Sequence, residues 1–394
     1  MTLYAVWPYL AILAGVLLLL RPDCVFGRID GPVTSGTRRF ATIDGLRGFL
    51  AFGVFGHHAV VMHEYLRTGV WAYPPSDFYV LLGEGAVMLF FAITGFLFWA
   101  KLLQVRGAPD WRGLYVGRFF RIAPVYLVAA AIVLAVEGTR TGFELREPPL
   151  TVLFDGVRWL ALGIAGQPGF NGNPDTGRLL AGVTWTLRYE WAFYFSLPLL
   201  AVFAKRRWHL PFALVGLVAC LGLFIWEGAR SALLTSLFFC GMLSASLLHE
   251  GYRIRRAWAG FAIGAASLVC LFTAFPTADG VGQVLLMGML FHVLGSGNSF
   301  LGVLTLKPVR RLGEISYSVY LTHGLVLSGV FSIAAVRSFA FASDVHYWLI
   351  VAVCAVLVVT AASLIYVFIE RPGIDLGKQL AGRTVASRTP GTPA

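Results

Sequence analysis

Charge is what this sequence has least of. Only 13% of its 394 residues are Asp, Glu, Lys or Arg, against about 25% in an ordinary soluble domain. A water-soluble chain of this length needs roughly double that to cover its surface, so a soluble enzyme, a disordered chain and a nucleic-acid binder are excluded. Cysteine is scarce as well. Cys24, Cys220, Cys240, Cys270 and Cys354 show no CxxC or metal-type spacing, and the last four lie in apolar segments. Neither a disulfide framework nor a bound metal is expected. No internal repeat is visible, which weakens the case for a transporter built from inverted halves. What the chain has instead is apolar sequence, 58% of its residues, spread along its whole length. The expected fold is an all-α, polytopic integral membrane helical bundle.

A helix needs about 20 mostly apolar residues to cross a bilayer. Eleven segments qualify as candidates, at about 3–20, 44–66, 79–100, 122–138, 185–204, 210–226, 231–248, 257–275, 281–303, 315–335 and 346–370. The first has no basic residue before its apolar run, and Arg21-Pro22-Asp23 makes a poor cleavage site, so it reads as a retained helix rather than a signal peptide. With eleven alternating spans, all but eight of the 31 Lys and Arg fall on one side. The positive-inside rule makes that side cytoplasmic, with the N-terminus outside and the C-terminus inside. The +11 net charge is explained in the same way. The one long connection, 137–183, is then extracytoplasmic. Its apolar stretch 151–165 is too short to span and suits an interfacial or re-entrant helix, and Gln167 to Gly177 is a turn-rich loop. The tail beyond Pro372 is short and polar.

Ionisable residues inside spans are costly and mark function. Arg47 and His58 are eleven residues apart, so on a helix they lie within about 20° of one another, His58 about 16 Å deeper. His57 is about 80° off that face. A snorkelling Arg with a hydrogen-bonded interior His explains the pair equally simply. Arg118 and Arg121 share a face just before Pro124, which is expected in the first turn of the next span. Two guanidinium groups there suit a phosphate, or an ordinary positive-inside anchor. Glu190 sits at a depth matching His58, so it either orients the imidazole or is neutralised by Arg188. Ser316, Tyr320 and His323 make a polar stripe on one face of a late span, and packing accounts for such a stripe too. Glu370 closes the last span, placed to brace the basic cluster.

Taken in order, these motifs resemble the membrane acyltransferases of acyltransferase family 3, which include O-antigen and exopolysaccharide O-acetylases. The residues carrying the resemblance are Asp44-Gly45-Leu46-Arg47-Gly48 with His58, Phe90-Phe91-Ala92-Ile93-Thr94-Gly95-Phe96, Arg118 with Arg121, Trp185 to Glu190, Ser316 to His323, and Ile369 to Pro372. They span residues 40 to 376. A helix ahead of the usual ten, and no fused esterase-like domain, are the departures. The resemblance implies an extra N-terminal helix and linker at 1–39, an acyltransferase membrane domain at 40–376 and a cytoplasmic tail at 377–394. It implies an enzyme of the bacterial inner membrane that moves an acyl group, most simply acetyl, from acetyl-CoA or another acyl-CoA to a hydroxyl of a lipopolysaccharide, exopolysaccharide or lipid-linked saccharide. It assigns catalysis to His58 and Glu190. Arg47, Arg118, Arg121, Ser316, Tyr320 and His323 fall to substrate binding, while Asp44, Trp185 and Glu370 support the structure. A proton-coupled transporter or flippase is the competing reading, since it too needs an intramembrane His and Glu; a scaffold without chemistry is the third.

Overall fold

A computed structural model describes residues 2–30, 41–205 and 207–386. Arg38, Arg39, Arg206 and Arg388, which enter the charge argument, lie outside the described residues, as do most of the expected linker and the end of the tail. Every one of the eleven expected segments is helical, and among the described residues there is no strand, only an isolated bridge between Phe170 and Asn173. In chain order the helices are α1 (Val6–Leu19), α2 (Asp23–Phe26), α3 (Ala41–Thr68), α4 (Asp77–Gln104), α5 (Trp111–Arg140), α6 (Pro149–Leu160), α7 (Trp185–Ala204) and α8 (His209–Glu227). They continue with α9 (Arg230–His249), α10 (Ala257–Ala274), α11 (Val281–Gly295), α12 (Lys307–Glu314), α13 (Ser316–Ser332), α14 (Ala334–Ala340), α15 (Asp344–Ile365) and α16 (Arg371–Ala386).

Seven helices are long and apolar enough to cross a membrane, and α13 with α14, bent by 92° at their junction, makes an eighth. The remaining three of the eleven fall short for physical reasons. α1 and α11 have 14 and 15 residues, about 21–23 Å of helix against a hydrocarbon core of about 30 Å. α7 carries Arg188 and Glu190 near its start. The chain is a multi-pass helical membrane protein, and its 12-residue α6, with Trp159 buried and Leu150, Leu153, Phe154 and Val157 exposed, has the size and one-sided burial of an interfacial helix.

Three expected boundaries move. α5 begins at Trp111, not near 122, so Pro124 lies inside the helix. Its missing amide frees the Phe120 carbonyl, and Gly373 of α16 packs against that carbonyl and the Pro124 ring. The final helix does not stop at Glu370: a π-helical turn, Tyr366–Glu370, carries α15 into α16, which packs along α5 where a polar tail was expected. α11 ends at Gly295 because Gly297, Phe300, Leu301 and Gly302 all take positive φ, which no helix tolerates.

Glycines set the tightest helix contacts. α4 and α9 meet at Gly95 and Gly241, where any Cβ would strike the facing backbone. α3 meets α12 in the same way through Gly48 and Gly313, and Gly45 meets the Leu304 backbone just ahead of α12. The α12 end is latched by Arg311, which is 1% exposed and donates to the carbonyls of Leu20 and Arg21 and to both Asp23 and Asp30.

Hydrogen bonds from Lys307 and Arg311 hold the Asp23 carboxyl below the usual carboxylate range, and the one from Arg311 does the same for Asp30. A depressed carboxylate pKa stabilises the fold above the ordinary value near 4, and that contribution is lost as pH falls through the folded value. Thermal unfolding of the purified protein should therefore shift to lower temperature between pH 5 and pH 3. Arg311→Met, already lacking the latch, should shift less over the same range. Parallel pH curves would assign no role to the latch.

Candidate active site

Two histidines from distant parts of the chain meet inside the bundle. His58 on α3 places Nδ1 3.0 Å from the Val54 carbonyl and 3.1 Å from Nε2 of His323 on α13. His323 is fully buried and places its own Nδ1 3.1 Å from the Val319 carbonyl. A carbonyl only accepts, so Nδ1 of His323 carries its proton, and Nε2 of that neutral ring is an acceptor. Nδ1 of His58 must then donate. That leaves the lone pair of His58 on Nε2, which has no hydrogen-bond partner among the described residues. The hydrogen-bond network thus selects one tautomer with a free basic nitrogen. His57 is differently employed: its Nδ1 lies 2.8 Å from the Tyr79 carbonyl and its ring packs where Gly83 lacks a side chain.

His58 lines a cavity of about 420 Å³, walled also by Trp71, Glu84, Val87, Arg230 and Tyr320. The Trp71 ring stacks on His58 with centroids 6.1 Å apart. Towards the end of the bundle that carries Arg311 lies a second cavity of about 350 Å³, lined by Arg47, Arg118, Arg121, Glu190, Ser316 and Tyr317 among others. Val87 and Tyr320 belong to both walls. The Tyr320 hydroxyl, 3.0 Å from both the Val183 carbonyl and Thr186 Oγ1, fixes that partition. On the other side the His58 cavity shares Trp71, Gly182 and Trp185 with an outer cavity of about 800 Å³. A separate space of about 460 Å³ between α3, α4, α10 and α11 is almost wholly apolar and holds no group suited to acid–base work.

The arginine cavity also carries two carboxylates, Glu190 and Glu314, on its walls. Among the described residues neither Arg47 nor Arg118 has a carboxylate within ion-pair distance, and Arg118 instead lies 5.0 Å over the Phe98 ring. Asp44, in the first turn of α3, interacts electrostatically with Arg47. Arg121 is ion-paired with Glu370, which is fully buried and also accepts from Ser318 Oγ at 2.6 Å. Ser316 is 1% exposed and its hydroxyl has no hydrogen-bond partner among the described residues. Because α5 starts early, Arg118 and Arg121 sit inside the helix and not at its N-terminus; the helix dipole gives them nothing, and any anion there is held by guanidinium hydrogen bonds alone.

Glu190 is not the partner of His58. It accepts from Tyr194, one turn on, at 2.9 Å and faces the arginine cavity. It does not pair with Arg188 either, which is two residues away, about 200° round the helix, and lines the outer cavity. Matching depth does not fix which way a side chain points. Trp185, 41% exposed, stands where the middle and outer cavities join. Sequence reasoning missed Trp71, Tyr194, Ser318 and the Glu84–Arg230 ion pair of 2.8 Å. Glu84 alone carried a signal, as an acid within an apolar segment.

A family model described as an acyltransferase domain matches residues 40–367. Nodulation protein 10 of Rhizobium leguminosarum bv. viciae is 28% identical over 390 residues, covering 90% of this chain and 98% of its own. The exopolysaccharide production protein ExoZ of Rhizobium meliloti (strain 1021) is 24% identical over 326 residues, covering 77% and 95%. No solved structure matches the chain significantly.

The Arg121–Glu370 pair should behave as a buried ion pair. Glu370→Ala strands the guanidinium and removes the Ser318 acceptor, an expected loss of about 3–5 kcal/mol in thermal unfolding. Glu370→Gln keeps an acceptor for Ser318 and should lose clearly less. Equal losses would mean that the charge contributes nothing.

Proposed function

The chain belongs to acyltransferase family 3, and from that premise we propose that it is an O-acyltransferase moving an acyl group, acetyl first of all, from cytoplasmic acyl-CoA to a hydroxyl of a cell-surface or lipid-linked glycan. In this reading the end carrying Arg47, Arg118 and Arg121 faces the cytoplasm, the N-terminus lies outside, and the membrane is the bacterial inner membrane. Residues 40–376 are the acyltransferase domain, with 1–39 and 377–394 as additions to it.

The observation that carries the reading is the free Nε2 of His58, in a cavity between an arginine-lined chamber on one side and an open polar one on the other. The arginines supply charge-assisted hydrogen bonds for the phosphates of coenzyme A, and Ser316 offers an unspent hydroxyl along the way. Glu190 faces the same arginines and keeps them oriented, a positioning role distinct from the dyad with His58. The acyl thioester then reaches His58 past Tyr320. A saccharide hydroxyl is a poor nucleophile at neutral pH and needs a base. His58 Nε2 takes its proton as the oxygen attacks the thioester carbon; the C–S bond breaks, and the thiolate recovers the proton from the imidazolium. His323 holds the ring in the useful tautomer throughout. The name of the exopolysaccharide production relative supports a saccharide acceptor.

Acyl transfer from radiolabelled acetyl-CoA to an oligosaccharide, measured with purified protein in nanodiscs, tests the reading. His58→Ala should lose about 10²–10⁴-fold in turnover, the usual worth of general-base assistance, while His57→Ala retains much of it. Near-normal turnover in His58→Ala would remove the mechanism. Arg118→Ala should raise KM for acyl-CoA, and Arg118→Lys should rescue only part, because an ammonium cannot make the bidentate contact. Unchanged donor affinity in Arg118→Ala would leave that arginine as a membrane anchor.

A further inference from the structure

Resting on the acyltransferase reading, the outer cavity must seat the acceptor so that one hydroxyl reaches His58, and its walls are specific about chemistry. Trp71, Trp185 and Tyr189 offer three aromatic faces, surfaces suited to the C–H faces of sugar rings. Trp71 also stacks on His58, so a ring seated on it ends beside the base. One buried polar atom on the same walls, Thr184 Oγ1, has no hydrogen-bond partner among the described residues. Buried polar groups are normally paired, and this hydroxyl is left for a ligand.

The charges on these walls are unevenly matched. Arg178 is ion-paired with Asp175, and its guanidinium lies 4.9 Å over the Tyr65 ring. Arg230, in the adjoining wall, is held by Glu84 at 2.8 Å and Asp279 at 2.7 Å. Arg188 alone of the three has neither a carboxylate nor a hydrogen-bond partner among the described residues. It also stands at the end of the bundle where the positive-inside rule disfavours a cation, so membrane orientation does not account for it. We propose that the outer cavity is the acceptor subsite and selects an anionic saccharide, whose carboxylate or phosphate binds Arg188 while a sugar ring stacks on Trp71 and Trp185. A guanidinium is suited to either anion through bidentate hydrogen bonds.

The test measures acyl transfer in nanodiscs to three acceptors sharing one sugar sequence: an oligosaccharide bearing a uronic acid, its carboxyl-reduced form, and that reduced form on a polyprenyl diphosphate. Wild-type protein should show a KM about tenfold lower for one anionic acceptor than for the neutral one, the worth of a single charge-assisted contact. In Arg188→Gln that ratio should fall to about one, and Arg188→Lys should keep part of it. Which anionic acceptor benefits distinguishes a sugar carboxylate from a lipid-linked phosphate. Equal use of all three acceptors by the wild type, or a preference that survives in Arg188→Gln, overturns the proposal. Failure to acylate any of the three would instead strike the acyltransferase reading, and the proposal falls with it.

Discussion

The hydrogen-bond chain from the Val319 carbonyl through His323 to His58 is the interaction on which the rest of the site depends. It joins residues 265 apart in sequence and decides which nitrogen of His58 is basic. It holds only if α3 and α13 keep their register. Glycine contacts set α3 against α12, and α13 follows α12 with only Ile315 between them. The buried Arg311 ties α12 to the segment after α1. A latch at the bundle's edge is thus mechanically connected to a proton position at its centre.

The second organising feature is the sorting of charge along the bundle. Arg47, Arg118 and Arg121 gather in one cavity with Glu190; the paired Glu84 and Arg230 lie in the next; Arg188 lies in the third. Tyr320 and Val87 separate the first from the second, and the Tyr320 hydroxyl is held from two sides. In the proposed reaction a thioester and a saccharide approach the same imidazole from opposite directions without sharing a path. Excluding water along both paths matters for a reaction whose competing outcome is hydrolysis.

The helices were legible in the sequence because apolar runs of span length have little else to become in a bilayer. The residues that gather at the site were legible too, as intramembrane His, Glu and Arg. Their partners were not. Periodicity gives depth and face within one helix but not the rotation of that helix against its neighbours, so Glu190 matched His58 in depth yet faces the arginines and Tyr194. The early start of α5 was hidden by Arg112, Arg118 and Arg121, which read as a loop although α5 packs along α16 there. The π turn at Tyr366–Glu370 and the continuation into α16 were hidden by Pro372, which usually marks a helix end. Trp71 lies in the connection between α3 and α4, where an aromatic carries no periodic signal.

The proposed reaction requires that donor and base meet. A cryo-EM structure of the protein in nanodiscs with a non-hydrolysable thioether analogue of acetyl-CoA tests this directly. The phosphates should lie on Arg47 and Arg118, the arm should pass Tyr320, and the acyl carbonyl should sit beside Nε2 of His58. Density that leaves the acyl group in the arginine cavity next to Glu190, with His58 out of reach, would contradict it.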